Sequence, residues 1–283
     1  MTIITLDDEA AVDGRLPGRS PELAFRVHHS LSATGLLELD RLAELASFLP
    51  TRSVEHNVGS VPALLPGGEA PRLSLTPAEI VRGIETNESW MVLKNVEADA
   101  EYRALLAACV ADVHALVTAA EGAPVLQEGF IFLSSPGSVT PAHIDPEHNI
   151  LLQVRGTKTM SIGRFQDPNE MLLQVECLHG GGHRNLSSAP IDLVDYPLST
   201  GEGVYVPVHA PHVVRNGPAV SISLSITWRT PYTLRTGRVH GLNRVLRSKG
   251  LPISPPGSHA VRDEIKASLY RAGLAAARRL HRT

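Results

Sequence analysis

Cysteine is nearly absent from this chain: Cys109 and Cys177 are the two in 283 residues. They are too few and too far apart for a disulfide framework or a thiolate zinc site. Cys109 falls in an apolar helical pattern with Leu105, Leu106 and Val113, where a thiol packs as a small hydrophobe. Aromatics are scarce too, at five Phe, five Tyr and two Trp. No stretch approaches the roughly 18 uninterrupted apolar residues of a membrane span. The first residues carry acids and no basic segment ahead of an apolar run, so no leader is expected and the chain reads as cytoplasmic. There is no Gly-rich phosphate loop opening a helix, and no internal repeat.

What is present is ordinary globular material. Hydrophobic residues make up 43% and charged ones 19%, enough to bury a sizeable core in one large domain with helical flanks. The 23 Gly and 21 Pro are spread along the chain, against a fibrous or disordered class. The net charge of −3 hides an asymmetry, since residues 232–283 hold eleven Lys and Arg against two Asp and Glu while the remainder is strongly acidic.

Three regions follow from the patterning. Residues 1–127 form an N-terminal helical and strand flank. Its first 25 residues are broken by Gly14, Pro17, Gly18 and Pro21 and read as an irregular arm or edge. Helices are predicted from Thr34 to Pro50, from Thr76-Pro77 with Glu79 completing a capping box, and from Asp99 to Ala119. Residues 128–230 read as mainly β, with strand-like runs at 130–134, 143–154, 157–162, 203–207 and 221–228. The turns between them suit antiparallel hairpins of a sandwich or small barrel better than βαβ crossovers. Residues 231–283 form a basic helical region divided by Pro252, Pro255 and Pro256.

Chemistry concentrates in the run Val139-Thr140-Pro141-Ala142-His143-Ile144-Asp145. On an extended segment residues i and i+2 share a face, so His143 and Asp145 can point into one cavity and bridge a metal. A pair of that form is expected by chance about 0.5 times in this composition and means little alone. A third candidate, His212, lies beyond the strand that ends at Pro207. Two imidazoles and one carboxylate form the facial triad of non-haem Fe(II) oxygenases, with open positions for substrates.

Over residues 130–228 the sequence resembles the jumonji-C hydroxylases of the cupin superfamily, and among them the asparaginyl hydroxylase that acts on hypoxia-inducible factor. The resemblance is carried by Val139-Thr140-Pro141-Ala142-His143-x-Asp145 with Asn149, Gln153, Gly156 and Lys158. It implies a mainly β protein with flanking helices, its core a double-stranded β-helix of jelly-roll, cupin type. It implies Fe(II) on His143, Asp145 and His212, 2-oxoglutarate held through its distal carboxylate by Lys158 and Thr140, Asn149 beside that cosubstrate, and O2 as the second cosubstrate. The implied activity is hydroxylation of an unactivated C–H in a peptide or protein side chain, an amino acid or a small metabolite. Charge arithmetic agrees: one carboxylate leaves an Fe(II) site about one unit positive, and a dianionic keto acid chelating it needs a second cation for its far end.

Several alternatives stay open at this level. His209 shares the loop of His212, though the spacing of five from Pro207 favours His212 by the resemblance, leaving His209 at the surface or in support. Arg229 is the fallback anchor for Lys158. Where the asparaginyl hydroxylase pattern has asparagine, this chain has Ile226, with Ser223, Ser225 or Thr227 as substitutes. Cys177, His179 and His183 flank Gly180-Gly181-Gly182 and read as a loop over the site, not a second metal centre. Glu147 and His148 are expected to face solvent. The basic C-terminus is expected to serve homodimerisation, which the resemblance implies, with nucleic acid a minority reading and no membrane role. A metal-binding cupin without turnover, acting as a sensor or transcriptional regulator, is the alternative function.

Overall fold

The computed structural model of the chain describes residues 2–6, 23–65, 71–116 and 122–280. Among them two antiparallel sheets face each other. The large sheet holds β1 (Ile4–Leu6), β2 (Phe25–His29), β3 (Val54–Val58), β4 (Ser89–Lys94), β5 (Val125–Ser134), β7 (His148–Arg155), β10 (Glu202–Val206) and β12 (Ser221–Arg229). Its order is β1-β2-β10-β7-β12-β5-β4-β3. The small sheet holds β6 (Val139–His143), β8 (Lys158–Arg164), β9 (Ile191–Leu198) and β11 (His212–Asn216), in the order β6-β11-β8-β9. Strands consecutive in sequence, such as β7 and β8, lie in different sheets, so the chain winds as a jelly roll.

The sequence of β12, SISLSITWR, explains how one strand serves two environments. With a period of two, Ile222, Leu224, Ile226 and Trp228 project to one face and Ser221, Ser223, Ser225 and Thr227 to the other. The apolar set enters the main core, built against α1 (Leu39–Phe48), α2 (Pro77–Arg82) and α3 (Ala100–Leu116) through Leu42, Leu45, Ile80, Tyr102 and Cys109. Burying a Leu or Ile side chain is worth about 1.5–3 kcal/mol, so this face fixes the register. The hydroxyl set is turned toward the small sheet, and every member of it is buried. Ile226 therefore belongs to the core, and the polar positions beside it face the interior of the barrel.

A second cluster, Leu151, Met160, Leu198, Val204 and Val206, fills part of the space between the sheets. Behind the small sheet Ala142, Ile144, Val213 and Leu186 pack against Val175 of α4 (Pro168–His179). Then α5 (Pro231–Ser248), opened by a Thr230/Thr233 capping box, packs on α4, and α6 (Ala260–Leu280) packs on α5.

Several expectations need correction. The strand expected over 143–154 begins only at His148: His143 is the last residue of β6, and the Asp145-Pro146-Glu147 turn separates it from β7. β2, β3, β9 and β11 were not expected; each pairs with a strand remote in sequence, such as Glu202 opposite His28 and His212 opposite Ile162. Residues 168–179 are helical, started by an Asp167 side-chain cap and Pro168. Of the N-terminal arm, 7–22 lie outside the described residues, and Ile4–Leu6 forms the sheet edge. The third helix is described to Leu116, with 117–119 outside.

Candidate metal centre

The pairing of β6 with β11 makes His143 and His212 direct cross-strand partners at one end of the small sheet. A register shift after His212 interrupts the ladder there, a common feature beside functional sites. The Asp145 turn brings its carboxylate across, and one ligand atom from each of the three residues lies within 4.8 Å of the others. Asp145 Oδ2 is 3.5 Å from His212 Nε2 and 3.9 Å from His143 Nε2, and the two rings are 4.0 Å apart between centroids.

The orientation of the rings is set by backbone. His143 Nδ1 is 2.7 Å from the Pro141 carbonyl oxygen, and His212 Nδ1 is 2.9 Å from that of Ala210. A carbonyl only accepts, so both Nδ1 atoms carry the proton and both Nε2 lone pairs are left facing Asp145 Oδ2. Burial lowers both imidazoles from their ordinary range, further for His143, where His212 adds to the effect and Asp145 opposes it. Burial would raise the Asp145 carboxyl, but His143, Arg184 and His212 outweigh it and hold it at about 2. Two neutral nitrogen donors and one carboxylate converging on a point are a donor set that fits a divalent first-row metal, with positions left for exogenous ligands.

Arg184 is the functional residue that sequence reading missed. It donates to Asp145 Oδ1 at 3.2 Å, which leaves Oδ2 toward the imidazoles. Its own segment is fastened to β6 by Ile144 N–H to the Arg184 carbonyl and Leu186 N–H to the Ala142 carbonyl. Its position follows α4 by five residues in a run with no motif, so no sequence signal marks it.

A cavity of about 400 Å³ opens on the triad. Its wall includes Thr140, Asn149, Lys158, Ser225 and Thr227, so every residue that the resemblance placed beside the cosubstrate lines it. Lys158 is 5% exposed, and burial pulls its ammonium down to about 7. Its one side-chain hydrogen bond among the described residues goes to Ser223 Oγ at 2.8 Å. Ser225 Oγ donates to Asn149 Oδ1 at 2.6 Å, and the buried Thr227 Oγ1 has no partner among the described residues. Ser225 and Thr227 thus form the polar wall that Ile226 cannot supply, with Ser223 behind them bound to Lys158. The alternative cation, Arg229, is bound to Glu147 through Nε at 3.1 Å and through Nη2.

Three smaller expectations change. Glu147 is mostly buried in that ion pair, and His148 is buried with its Nδ1 2.8 Å from Tyr205 Oη, so neither faces solvent. His179 and His209 are joined to each other, away from the cavity. A second cavity of about 360 Å³ adjoins the first, sharing Glu55, Trp90, Thr140 and Arg184 in its walls and extending to Arg72, Val61 and His183.

No protein-family model matches the sequence, and no curated protein does. Among solved structures the chain is similar to the X-ray structure of Escherichia coli YcfD, with 17% identity over 96% of this chain and 68% of that one, at a TM-score of 0.50. A second structure, of the Escherichia coli ribosomal oxygenase YcfD, gives 16% identity over 96% and 67%, also at 0.50. The likeness is one of fold, and it covers nearly the whole chain, helical flanks included.

Proposed function

We propose that this chain is an Fe(II)- and 2-oxoglutarate-dependent oxygenase that hydroxylates a side chain of a protein or peptide. The observation that carries the reading is the pairing, in one cavity, of three converging ligand atoms with a buried lysine that no carboxylate neutralises among the described residues. A buried cation with only a hydroxyl partner is costly unless an anion completes it.

His143, Asp145 and His212 would hold the metal, which with 2-oxoglutarate and O2 supplies the oxidising power for C–H hydroxylation. The chain's own residues bind and orient. Lys158, four positions along β8 from the residue opposite His212, lies about 13 Å from it along the sheet, a span for a five-carbon diacid between the lysine and imidazole side chains. Lys158 and the Thr140 hydroxyl would take its distal carboxylate, and Asn149, oriented by Ser225, would lie along its flank. Val92, Phe130, Phe132 and Leu151 keep the surroundings apolar and exclude water.

A protein substrate is favoured by the adjoining second cavity, which gives a longer trough than a free amino acid fills, and by the name ribosomal oxygenase carried by a neighbour of like fold. For the narrower likeness to the asparaginyl hydroxylase, the sequence motif is the support. We assign homodimerisation to α6, where Val261, Ile265 and Leu269 recur every four residues and are each more than half exposed. Leu269→Glu should lower the mass in light scattering, and an unchanged mass removes the assignment.

The test is anaerobic addition of Fe(II), then 2-oxoglutarate, to the full chain while watching for the visible charge-transfer band of a chelated keto acid. The band should be lost in His143→Ala and weakened in Lys158→Ala. Metal binding without a band would instead support a cupin sensor without turnover.

A further inference from the structure

A second group of histidines lies behind the metal centre. His179 ends α4, His209 lies in the β10–β11 loop, and His240 is on α5. His179 Nε2 and His209 Nε2 are 2.8 Å apart with their rings nearly perpendicular at 89°. The His240 ring lies parallel to His179 at 5.8 Å, and its buried Nδ1 has no partner among the described residues. Burial holds His179 at about 2, His209 at about 3 and His240 at about 4, so all three are uncharged near neutral pH. A 2.8 Å contact between two neutral imidazoles is an N–H···N hydrogen bond, one ring donating and the other accepting.

Each end of this bond is tied to something else. His209 has φ of 60°, a left-handed conformation uncommon for a residue other than glycine, and its N–H donates to the Asp145 carbonyl oxygen at 3.0 Å. At the other end, the His179 carbonyl accepts from Tyr270 Oη of α6 at 2.9 Å. The His179 ring lies against Gly237 of α5, where a Cβ would stand 2.6 Å from its Cε1. One turn on, a Cβ at Gly241 would meet the Tyr270 ring at 2.4 Å, so two glycines on one face of α5 seat both rings.

We propose that His179 and His209 are positioning residues for the metal centre, their hydrogen bond tying the Asp145 turn to the packed pair α5 and α6. The inference rests on the metal-binding reading of His143, Asp145 and His212. It makes the C-terminal helices part of the site's support: α5 and Tyr270 fix His179, His179 fixes the His209 ring, and the left-handed His209 backbone holds the carbonyl of the ligand carboxylate's own residue.

The test is a Co(II) titration of the full chain, following the d–d absorption of the bound ion. His179→Phe keeps a flat ring without nitrogen; it should weaken Co(II) about tenfold, the scale of supporting groups around a metal, and change the band shape. His179→Gln, which restores an amide donor and acceptor, should recover most of both. Gly237→Ala, which pushes the His179 ring from the α5 side without touching the loop, should reproduce the His179→Phe spectrum. Should His179→Phe not fold by circular dichroism, Gly237→Ala carries the test alone. Wild-type band shape and affinity in the folded variants would overturn the proposal, as would a second Co(II) equivalent lost with His179. Absence of Co(II) binding by the wild type would instead overturn the metal reading.

Discussion

Two groups of uncharged histidines, one buried and one half-buried, lie on either side of the Asp145 turn, and they do opposite things with their lone pairs. In the pair His143 and His212, each Nδ1 is occupied by a carbonyl two residues back, which leaves both Nε2 atoms facing a carboxylate oxygen. In the group His179, His209 and His240, the Nε2 atoms of the first two face each other, and the third ring stacks. Among the described residues no other set of three His, Cys, Asp or Glu brings its ligand atoms within 4.8 Å of one another as His143, Asp145 and His212 do. The count of imidazoles does not make a metal site. What makes one is backbone acceptors that fix the tautomer and a carboxylate that gathers the free lone pairs.

The sharpest way to break this comparison is to remove a ligand from the first group. His143→Ala and Asp145→Ala are each expected to weaken Co(II) or Fe(II) by more than about 100-fold, beyond what supporting residues cost. Retention of metal by isothermal titration would dissolve the distinction between the two groups.

Next in size is the anion end of the cavity. Lys158→Ala should raise the 2-oxoglutarate dissociation constant about 10- to 100-fold, from a charged hydrogen bond of about 1.5–3 kcal/mol, with metal affinity unchanged. Because burial holds Lys158 at about 7, the free site carries its cation below that pH and loses it above. Binding of the dianion should therefore weaken by up to tenfold per pH unit above about 7. Lys158→Arg, charged throughout, should flatten that profile, and a flat wild-type profile would remove Lys158 as the anchor. The same depression works against folding. Between about 7 and the ordinary lysine value of 10.5 the unfolded chain binds the extra proton, so the cost is full below pH 7 and fades as pH rises.

Arg184→Ala should have a smaller effect, about tenfold on metal affinity, since the Arg184 side chain is 44% exposed. A Co(II) titration equal to wild type would show that the turn holds Asp145 without it. Smallest is His240→Phe. Nδ1 of His240 has no partner among the described residues, so an apolar ring is expected to change the urea midpoint by less than about 1 kcal/mol in stability. A large loss there would show that His240 bonds within its cluster and is more than packing.

The motif around His143 was readable because its parts are local: Thr140, His143 and Asp145 lie on six consecutive residues, and Asn149 and Lys158 follow on the next strands. The alternation in β12 was readable for a similar reason, yet its meaning at Ile226 was not. Which parity faces the barrel depends on the pairing of β12 with β5 and β7. The partners of Arg184, His179 and Glu147 carried no signal, because each meets its neighbour across 30 or more positions of chain.

The sequence by itself determined the β-rich middle and the helical flanks through short-range periodicity and residue type, and a local motif marked Thr140, Asn149 and Lys158 of the cavity wall. Tertiary structure alone decided which histidine lone pairs are free, which cation is left without a carboxylate and which helices stand behind the Asp145 turn. Those are questions of direction and distance between segments remote in sequence, and folding answers them only when hydrophobic burial has set the register of the two sheets.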